Sequence, residues 1–550
     1  MIEKEALHFL ALGGSGEIGM NLNLYACRGK WLMVDLGVTF GDDTMPGIEL
    51  VLPDTEFIEA DRKNLLGVIL THAHEDHIGA VAALWPRLQC PVYATPFTAE
   101  LLKSKLDEGG ILGEVPLHVV AMGSTVKLGP FEAEFVALTH SIPEPNALRI
   151  KTPFGTVMHT GDWKLDPDPL ISEPVDADAL TRIGEEGVRA IVCDSTNVFN
   201  PGHSGSEADV ETNLKSVIAE CKGRVAVTTF ASNVARLQTI CKVAHELDRH
   251  VALVGRSMLR VIAAARETGY FDTMFPLLAP EEAAYLPRDK VLYLCTGSQG
   301  EPRGAMNRIA DGQHKDVVLE EGDTVIFSSK IIPGNEVSLG RMHNLLADQG
   351  IEVVTEKDEM IHVSGHPCRD ELIQMYHWIR PELAIPVHGE ARHLEEHARL
   401  ARELQVPEVI APRNGIVIRI APGRAEVVDQ VPSGRLIIDG TMVVPLDDPG
   451  LVERKRLMYN GHVVVTLVAD QKGRLLAAPG IVMQGLPQGD TIDMPEVLSE
   501  AAEAAYESLK PKQRREPDVA KEETRIAVRR ACRDLFGKRP VVTVQLTTIA

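Results

Sequence analysis

The chain is 550 residues long and holds no uninterrupted apolar run of about 18, so no segment reads as a membrane-spanning helix. Its opening, Met1-Ile2-Glu3-Lys4-Glu5-Ala6-Leu7-His8, lacks a basic region followed by an apolar core, which argues against secretion. The eight cysteines, at 27, 90, 193, 221, 241, 295, 368 and 532, form no CxxC pair. That scatter suits a reducing cytoplasm better than a disulfide or zinc-ribbon framework. The formal charge of −22 argues against indiscriminate binding of nucleic acid, because the field of the whole molecule repels phosphates. Local positive charge remains available. Lys510 to Arg539 holds eleven Lys/Arg against five Asp/Glu, as either a solvated mixed-charge helix or an RNA patch. With 44% hydrophobic and 24% charged residues the composition is that of a soluble globular protein, and the length predicts three or four units.

What is present is concentrated in Thr71-His72-Ala73-His74-Glu75-Asp76-His77. Three imidazoles and a carboxylate within six residues offer more ligands than one tetrahedral ion can use, which points to two metal ions. The apolar run Asn64–Leu70 predicts a buried strand, and Ile78–Leu88 predicts a helix, so the cluster sits on a strand-to-helix loop. In extended chain, residues i and i+2 face the same way. His72 and His74 can therefore close on one ion while the following turn swings Asp76 and His77 toward a second.

This run resembles the HxHxDH signature of the metallo-β-lactamase superfamily. The resemblance implies further ligands at later strand ends, and His140 in Leu138-Thr139-His140 and Asp162 in His159-Thr160-Gly161-Asp162 stand in the right order. Asp162 is implied to bridge two ions, since a carboxylate can neutralise two cations about 3.5–4 Å apart. His159 is implied not to be a ligand but a buried structural group.

Three more strand-terminal motifs follow, at Asp194-Ser195-Thr196-Asn197, His362-Val363-Ser364-Gly365-His366 and Val387-His388-Gly389-Glu390. They resemble motifs A, B and C of the β-CASP nucleases, whose extra domain is inserted into the lactamase fold. The expected fold is α/β: a metallo-β-lactamase αββα sandwich with an inserted β-CASP α/β domain and a small α+β C-terminal domain. The expected boundaries are 1–205 and 360–430 for the lactamase domain, 206–359 for the β-CASP domain, 431–449 for a linker and 450–550 for the C-terminal domain. Within the insertion, βα units predict a parallel sheet. The loops Phe230–Val234, Gly255–Ser257, Thr296–Pro302 and Ser328–Gly334, rich in glycine and hydroxyl residues, offer backbone N–H groups to a polyphosphate chain.

More narrowly, these blocks together with Gly13-Gly14-Ser15-Gly16-Glu17-Ile18-Gly19-Met20-Asn21 resemble the ribonuclease J family nearly end to end. Alone, Gly13–Gly19 reads as a phosphate loop, a dinucleotide fold or a tight turn between two opening strands, and the turn is the reading adopted. The resemblance implies one ion on His72, His74, His140 and Asp162 and another on Asp76, His77, Asp162 and His388. Zinc is the expected metal, with manganese accepted by the same donors. His366 is implied to be the general acid toward the leaving 3′-oxygen or a donor to the phosphate, with Asp194 accepting its other ring hydrogen. The catalytic set is thus His366, Asp194 and Asp76. A pocket for a terminal 5′-phosphate is implied at Ser232, Asn233, Val234 and His362, Val363, Ser364, Gly365, His366.

The implied activity is degradation and maturation of single-stranded RNA, 5′-to-3′ from 5′-monophosphorylated ends, with internal cutting as well. A histidine at 388 favours RNA over DNA, because the DNA-repair members have an aliphatic residue at motif C. The alternatives are a DNA exonuclease or processing endonuclease of the same superfamily, and a non-catalytic scaffold for RNA decay. A homodimer or homotetramer is implied through the C-terminal domain, with other RNA-decay proteins as further partners. On the last helix an apolar stripe at Ile526, Ala527 and Arg530 suits either its own core or a partner.

Overall fold

Leu7–Gly13 and Leu22–Cys27 are buried at every residue, the pattern of strands covered on both faces. In the computed structural model, which describes residues 3–42, 44–332, 334–487 and 493–549, they belong to an eight-stranded sheet. Its order is Glu426–Gln430, Ile416–Ala421, Leu7–Gly13, Leu22–Cys27, Lys30–Val34, Leu65–Ile69, Val92–Ala94, Leu117–Val119. A seven-stranded sheet runs Thr125–Leu128, Phe131–Ala137, Asn146–Thr152, Gly155–His159, Ala190–Asp194, Leu383–Val387, Glu408–Val409. Phe9, Tyr25, Leu32 and Ile69 of the first meet Phe135, Leu148, Val192 and Ile385 of the second in one core. Helices Ala177–Glu185, Arg369–Ile379 and Ala391–Glu403 cover the other face of the seven-stranded sheet through Leu180, Leu372 and Leu400. The result is two sheets face to face with helices outside.

Three parallel neighbours in the second sheet position the chemistry. Val157 to His159 pair with Ala190 to Val192, and Ala190–Asp194 pair with Leu383–Val387. Their carboxyl ends therefore lie side by side and lead into Asp162, Asp194 and His388. Between Asp194 and Leu383 the chain builds a six-stranded, wholly parallel sheet, ordered Leu277–Leu278, His250–Val254, Val291–Cys295, Val225–Thr228, Thr324–Phe327, Glu352–Val354. The four glycine- and hydroxyl-rich loops follow the carboxyl ends of four of these strands, as expected of such sheets. Pro333, within the last of those loops, lies outside the described residues.

By chain contacts these elements form one unit of Met1–Thr39 and Val51–Arg435, and Phe40–Leu50 with Leu436–Ala550 forms another. In that second unit His462–Asp470 pairs antiparallel with Gly480–Gln484 and parallel with Val541–Ile549. Every second residue of His462–Asp470, from Val463 to Ala469, is buried under helices Met494–Ser508 and Pro517–Phe536. The last helix buries Ala520, Thr524, Val528 and Cys532, at i+4 spacing, and leaves Ile526 38% exposed. The expected stripe at Ile526, Ala527 and Arg530 thus lies off the packed face; the helix buries mostly small residues there, so few large apolar side chains mark its inner side. Of the expected C-terminal span, 488–492 and Ala550 lie outside the described residues, as do Met1 and Ile2 of the opening. No described helix is long and apolar enough to cross a membrane.

Candidate metal centre

The strand Leu65–Ile69 ends at a loop from Leu70 to His74 that enters the short helix Glu75–Ile78. Ile78–Leu88 is therefore not one helix: a second begins at Val81. The carbonyl of Asp76, which a continuing helix would use, instead accepts the Asn21 N–H at 2.9 Å, and the Ala80 N–H turns to the Leu36 carbonyl at 3.0 Å.

Two four-residue sets of donors converge, beside a three-residue set of Asp194, His366 and His388. His72, His74, His140 and Asp162 form one, and Asp76, His77, Asp162 and His388 the other, with the ligand atoms in each within 4.8 Å of one another. In the first, His74 Nδ1 lies 3.0 Å from both His72 Nε2 and His140 Nε2. Burial, and then the neighbouring imidazoles, push His72 and His140 well below their ordinary range; burial takes His74 down to about 4. These rings are neutral at pH 7, the form that binds a cation. His140 donates Nδ1–H to the Gly365 carbonyl, and His72 Nδ1 lies 3.1 Å from Thr71 Oγ1, so each turns Nε2 inward.

In the second set His77 Nε2 lies 3.1 Å from Asp162 Oδ2 and His388 Nε2 3.5 Å from the same atom. Asp76 Oδ2 is 3.5 and 3.7 Å from those two nitrogens. Burial opposes protonation of His77, but Asp162, Asp76 and Asp35 together outweigh it and raise its pKa well above the ordinary value. Asp162 is held well below the usual carboxylate range against its burial, by His388 and His77. Its Oδ1 is buried without a hydrogen-bond partner among the described residues. An unpaired carboxylate oxygen among imidazoles that cannot satisfy one another fits a divalent cation.

Beside the sets, His366 stacks on His388 with centroids 5.5 Å apart, and its Nδ1 is 2.8 Å from Asp194 Oδ2. Burial works against the imidazolium, yet Asp194, with Asp162 and Asp76 beyond it, raises His366 to about 9. Ser364 Oγ accepts the His366 N–H and the Asn197 amide, which fastens this loop to the strand end carrying Asp194. His362 is partly buried, with a buried Nδ1 unpartnered among the described residues, and Val363 is buried. Of Ser232, Asn233 and Val234, only Ser232 keeps a partly exposed side chain. Val234 is buried, and the Asn233 amide caps its helix through Arg236 N–H and donates to Glu207 Oε1. His159 is buried with Nδ1 2.9 Å from the Tyr25 hydroxyl, apart from both sets.

Sequence reasoning missed three residues that orient these ligands. Asp35 Oδ2 takes His77 Nδ1 at 2.7 Å, Thr71 Oγ1 donates to Asp35, and Asn21 touches Asp76, His77 and His388. Asp35 follows the apolar run Trp31–Val34 as Asp162 and Asp194 follow theirs, a signal that could have found it.

Family models match four stretches: metallo-beta-lactamase superfamily at 24–192, ribonuclease J beta-CASP domain at 222–346, Zn-dependent metallo-hydrolase RNA specificity domain at 350–412 and ribonuclease J C-terminal domain at 450–549. A ribonuclease J of Sinorhizobium meliloti is 46% identical over 100% of this chain and 98% of its own length. The chain belongs to the ribonuclease J family. Others from Corynebacterium glutamicum (38% identical; 98% of this chain, 75% of that protein) and Thermus thermophilus (35%; 85% and 83%) are similar. Membership makes it a metal-dependent ribonuclease of the metallo-β-lactamase superfamily. A protein of unknown function from Enterococcus faecalis, 17% identical with a TM-score of 0.51 over 75% of this chain and 100% of that one, shares the fold alone.

Proposed function

We propose that the chain degrades and matures single-stranded RNA in the cytoplasm, 5′-to-3′ from 5′-monophosphorylated ends, and also cuts internally. His72, His74, His140 and Asp162 would hold one divalent ion and Asp76, His77, Asp162 and His388 the other, with zinc favoured by the histidine-rich donor set. When bound, such ions supply a water of lowered pKa and positive charge for the phosphodiester. The chain's own residues do the rest. His366, kept protonated by Asp194, gives a proton toward the leaving 3′-oxygen or a hydrogen bond to the scissile phosphate, while Asp76 would act as a ligand of the second ion.

The observation that carries this reading is the loop His362–His366. Its Gly365 carbonyl bonds to His140, its His366 faces Asp194, and its His362 carries a buried, unpartnered nitrogen, which supports a loop that serves both the ligand sets and a bound phosphate. We assign 1–205 and 360–430 to the catalytic fold, 206–359 to the β-CASP insertion, 431–449 to a linker and 450–550 to a C-terminal domain that supports a homodimer or homotetramer. Other RNA-decay proteins are further partners. The eight free cysteines accord with a reducing compartment.

The test is digestion of 5′-monophosphorylated RNA and its 5′-triphosphorylated twin, labelled at the 3′ end, with Asp76→Ala as control. Selective loss of the monophosphorylated RNA without discrete intermediates is expected. Equal internal cutting of both removes the 5′-pocket, and cutting of DNA alone moves the activity to the DNA branch of the superfamily.

A further inference from the structure

The glycine-rich segment Gly13–Asn21 has no part in the proposed reaction, yet it reaches the centre. From its contacts we infer that Asn21 is the positioning residue of the second ligand set: it fixes which nitrogen of His388 faces Asp76 and Asp162, and it anchors Asp76 itself. The inference rests on the two-set reading given above.

Asn21 is 3% exposed, and both polar atoms of its side chain meet proposed ligands. Nδ2 lies 3.1 Å from the Asp76 carbonyl, 3.4 Å from Asp76 Oδ2 and 3.1 Å from His77 Nε2, while Oδ1 lies 2.9 Å from His388 Nδ1. The orientation of the amide follows from its partners. A backbone carbonyl only accepts, so the nitrogen must face Asp76, and the oxygen is left for His388. An amide oxygen also only accepts. His388 Nδ1 therefore carries the hydrogen, and its Nε2 presents a bare lone pair to the centre.

The same segment holds the backbone of His388. The Gly14 carbonyl accepts its N–H at 2.7 Å, and Ser15–Gly16 pairs in parallel with Gly389–Glu390. His388 sits at φ 51°, a left-handed conformation that a side chain with a Cβ adopts only when its surroundings impose it. The glycines make room for the asparagine. Gly14 is at φ 82°, and a Cβ there would collide with Asn21 Oδ1; a Cβ on Gly13 would collide with the Met20 carbonyl. A tight turn alone needs neither collision avoided, nor an asparagine aimed at three ligands. Nothing comparable ties this segment to His72, His74 or His140 among the described residues, so its influence falls on one set.

The experiment compares the full-length chain with Asn21→Ala, both stripped and then titrated with free Zn²⁺, reading bound metal per chain by plasma emission and the melting temperature of each metal-free protein. The wild type is expected to take up two ions. Asn21→Ala is expected to keep one at wild-type affinity and bind the other about 10–100-fold more weakly, the range for loss of a group that orients a ligand. Two ions at wild-type affinity overturn the inference. So does equal weakening of both with an unchanged metal-free melting temperature, because the residue would then act on the whole centre. Should Asn21→Ala not fold, the isosteric Asn21→Asp, which keeps an acceptor for His388 and loses the donor to Asp76, is titrated in its place. A weakened second ion with the first intact is expected there, and two equally tight ions overturn the inference. A wild type that binds a single ion overturns the two-set reading itself, a failure distinct from that of Asn21.

Discussion

The two ligand sets share Asp162 but differ in how the chain assembles them. The first is drawn from Thr71–His74, His140 and Asp162, all before the six-stranded insertion, and its rings rest on a threonine hydroxyl and one backbone carbonyl. The second needs His388, on the strand end reached only after the insertion, and it is braced by a buried carboxylate at Asp35 and a buried amide at Asn21. The first set's ligands all precede the insertion, and of their rings only His140 leans on the far side of it, through the Gly365 carbonyl. A set closed across the fold requires dedicated orienting groups, since each distant ligand arrives with its own freedom to be fixed.

Asp162 is where the comparison breaks outright. Asp162→Ala removes the only carboxylate common to both sets, and metal analysis of the purified variant is expected to show loss at both, with RNA cleavage abolished. Retention of one tight ion would mean that the sets are independent.

His366→Ala leaves both sets complete and removes the proposed proton donor. Its kcat is expected to fall about 10²–10⁴-fold with metal content unchanged. Asp194→Asn sharpens this. His366 is raised to about 9 with Asp194 as the largest raising influence, so the imidazolium persists on the alkaline side of neutrality. Without that charge the proton is lost at lower pH, and the alkaline limb of the pH–rate profile is expected to move down. An unmoved limb assigns the proton to another group.

How much of this was legible depends on distance along the chain. The ligands of Thr71–His77 are visible because residues that rarely cluster do so beside an apolar run. His140, Asp162 and His388 are each ordinary alone, and only family resemblance ordered them; periodicity says nothing about which strand ends become neighbours. Asn21 carries no compositional mark, since Asn in loops usually serves the turn itself, and Asp35 is marked only by its place after the apolar run Trp31–Val34. The break at Gly79 and Ala80 was hidden because its cause, the Asp76 carbonyl engaged by Asn21, lies 55 residues away. In the second unit, Pro449–Asn460 and Gly480–Gln484 went unread: the helix buries only Leu451, and the strand has one face exposed at Gly480, Val482 and Gln484.

Asp35→Asn tests the bracing of the second set from the other side. His77 Nδ1 loses a charged acceptor, and the affinity of that set is expected to fall about 10–100-fold while the first is spared. Equilibrium titration separates the two, because only one binding step should move.

Thr71→Val is the mildest and the most discriminating, because Thr71 Oγ1 serves both sides. It donates to Asp35 at 2.9 Å and receives His72 Nδ1 at 3.1 Å, so its loss frees a ring of the first set and loosens the carboxylate behind the second. The Asp35 carboxylate keeps His77 Nδ1 at 2.7 Å and the Thr71 N–H at 2.8 Å, two remaining bonds that hold it in place. His72 Nδ1 keeps no other hydrogen-bond partner among the described residues and becomes an unsatisfied donor in a fully buried ring. One hydrogen bond of about 1 kcal/mol corresponds to about a fivefold loss of affinity, and it should fall on the first set. Titration of the variant with Zn²⁺ reads which step weakens; if the second step weakens instead, the short-range set is the better braced of the two and the contrast between them reverses.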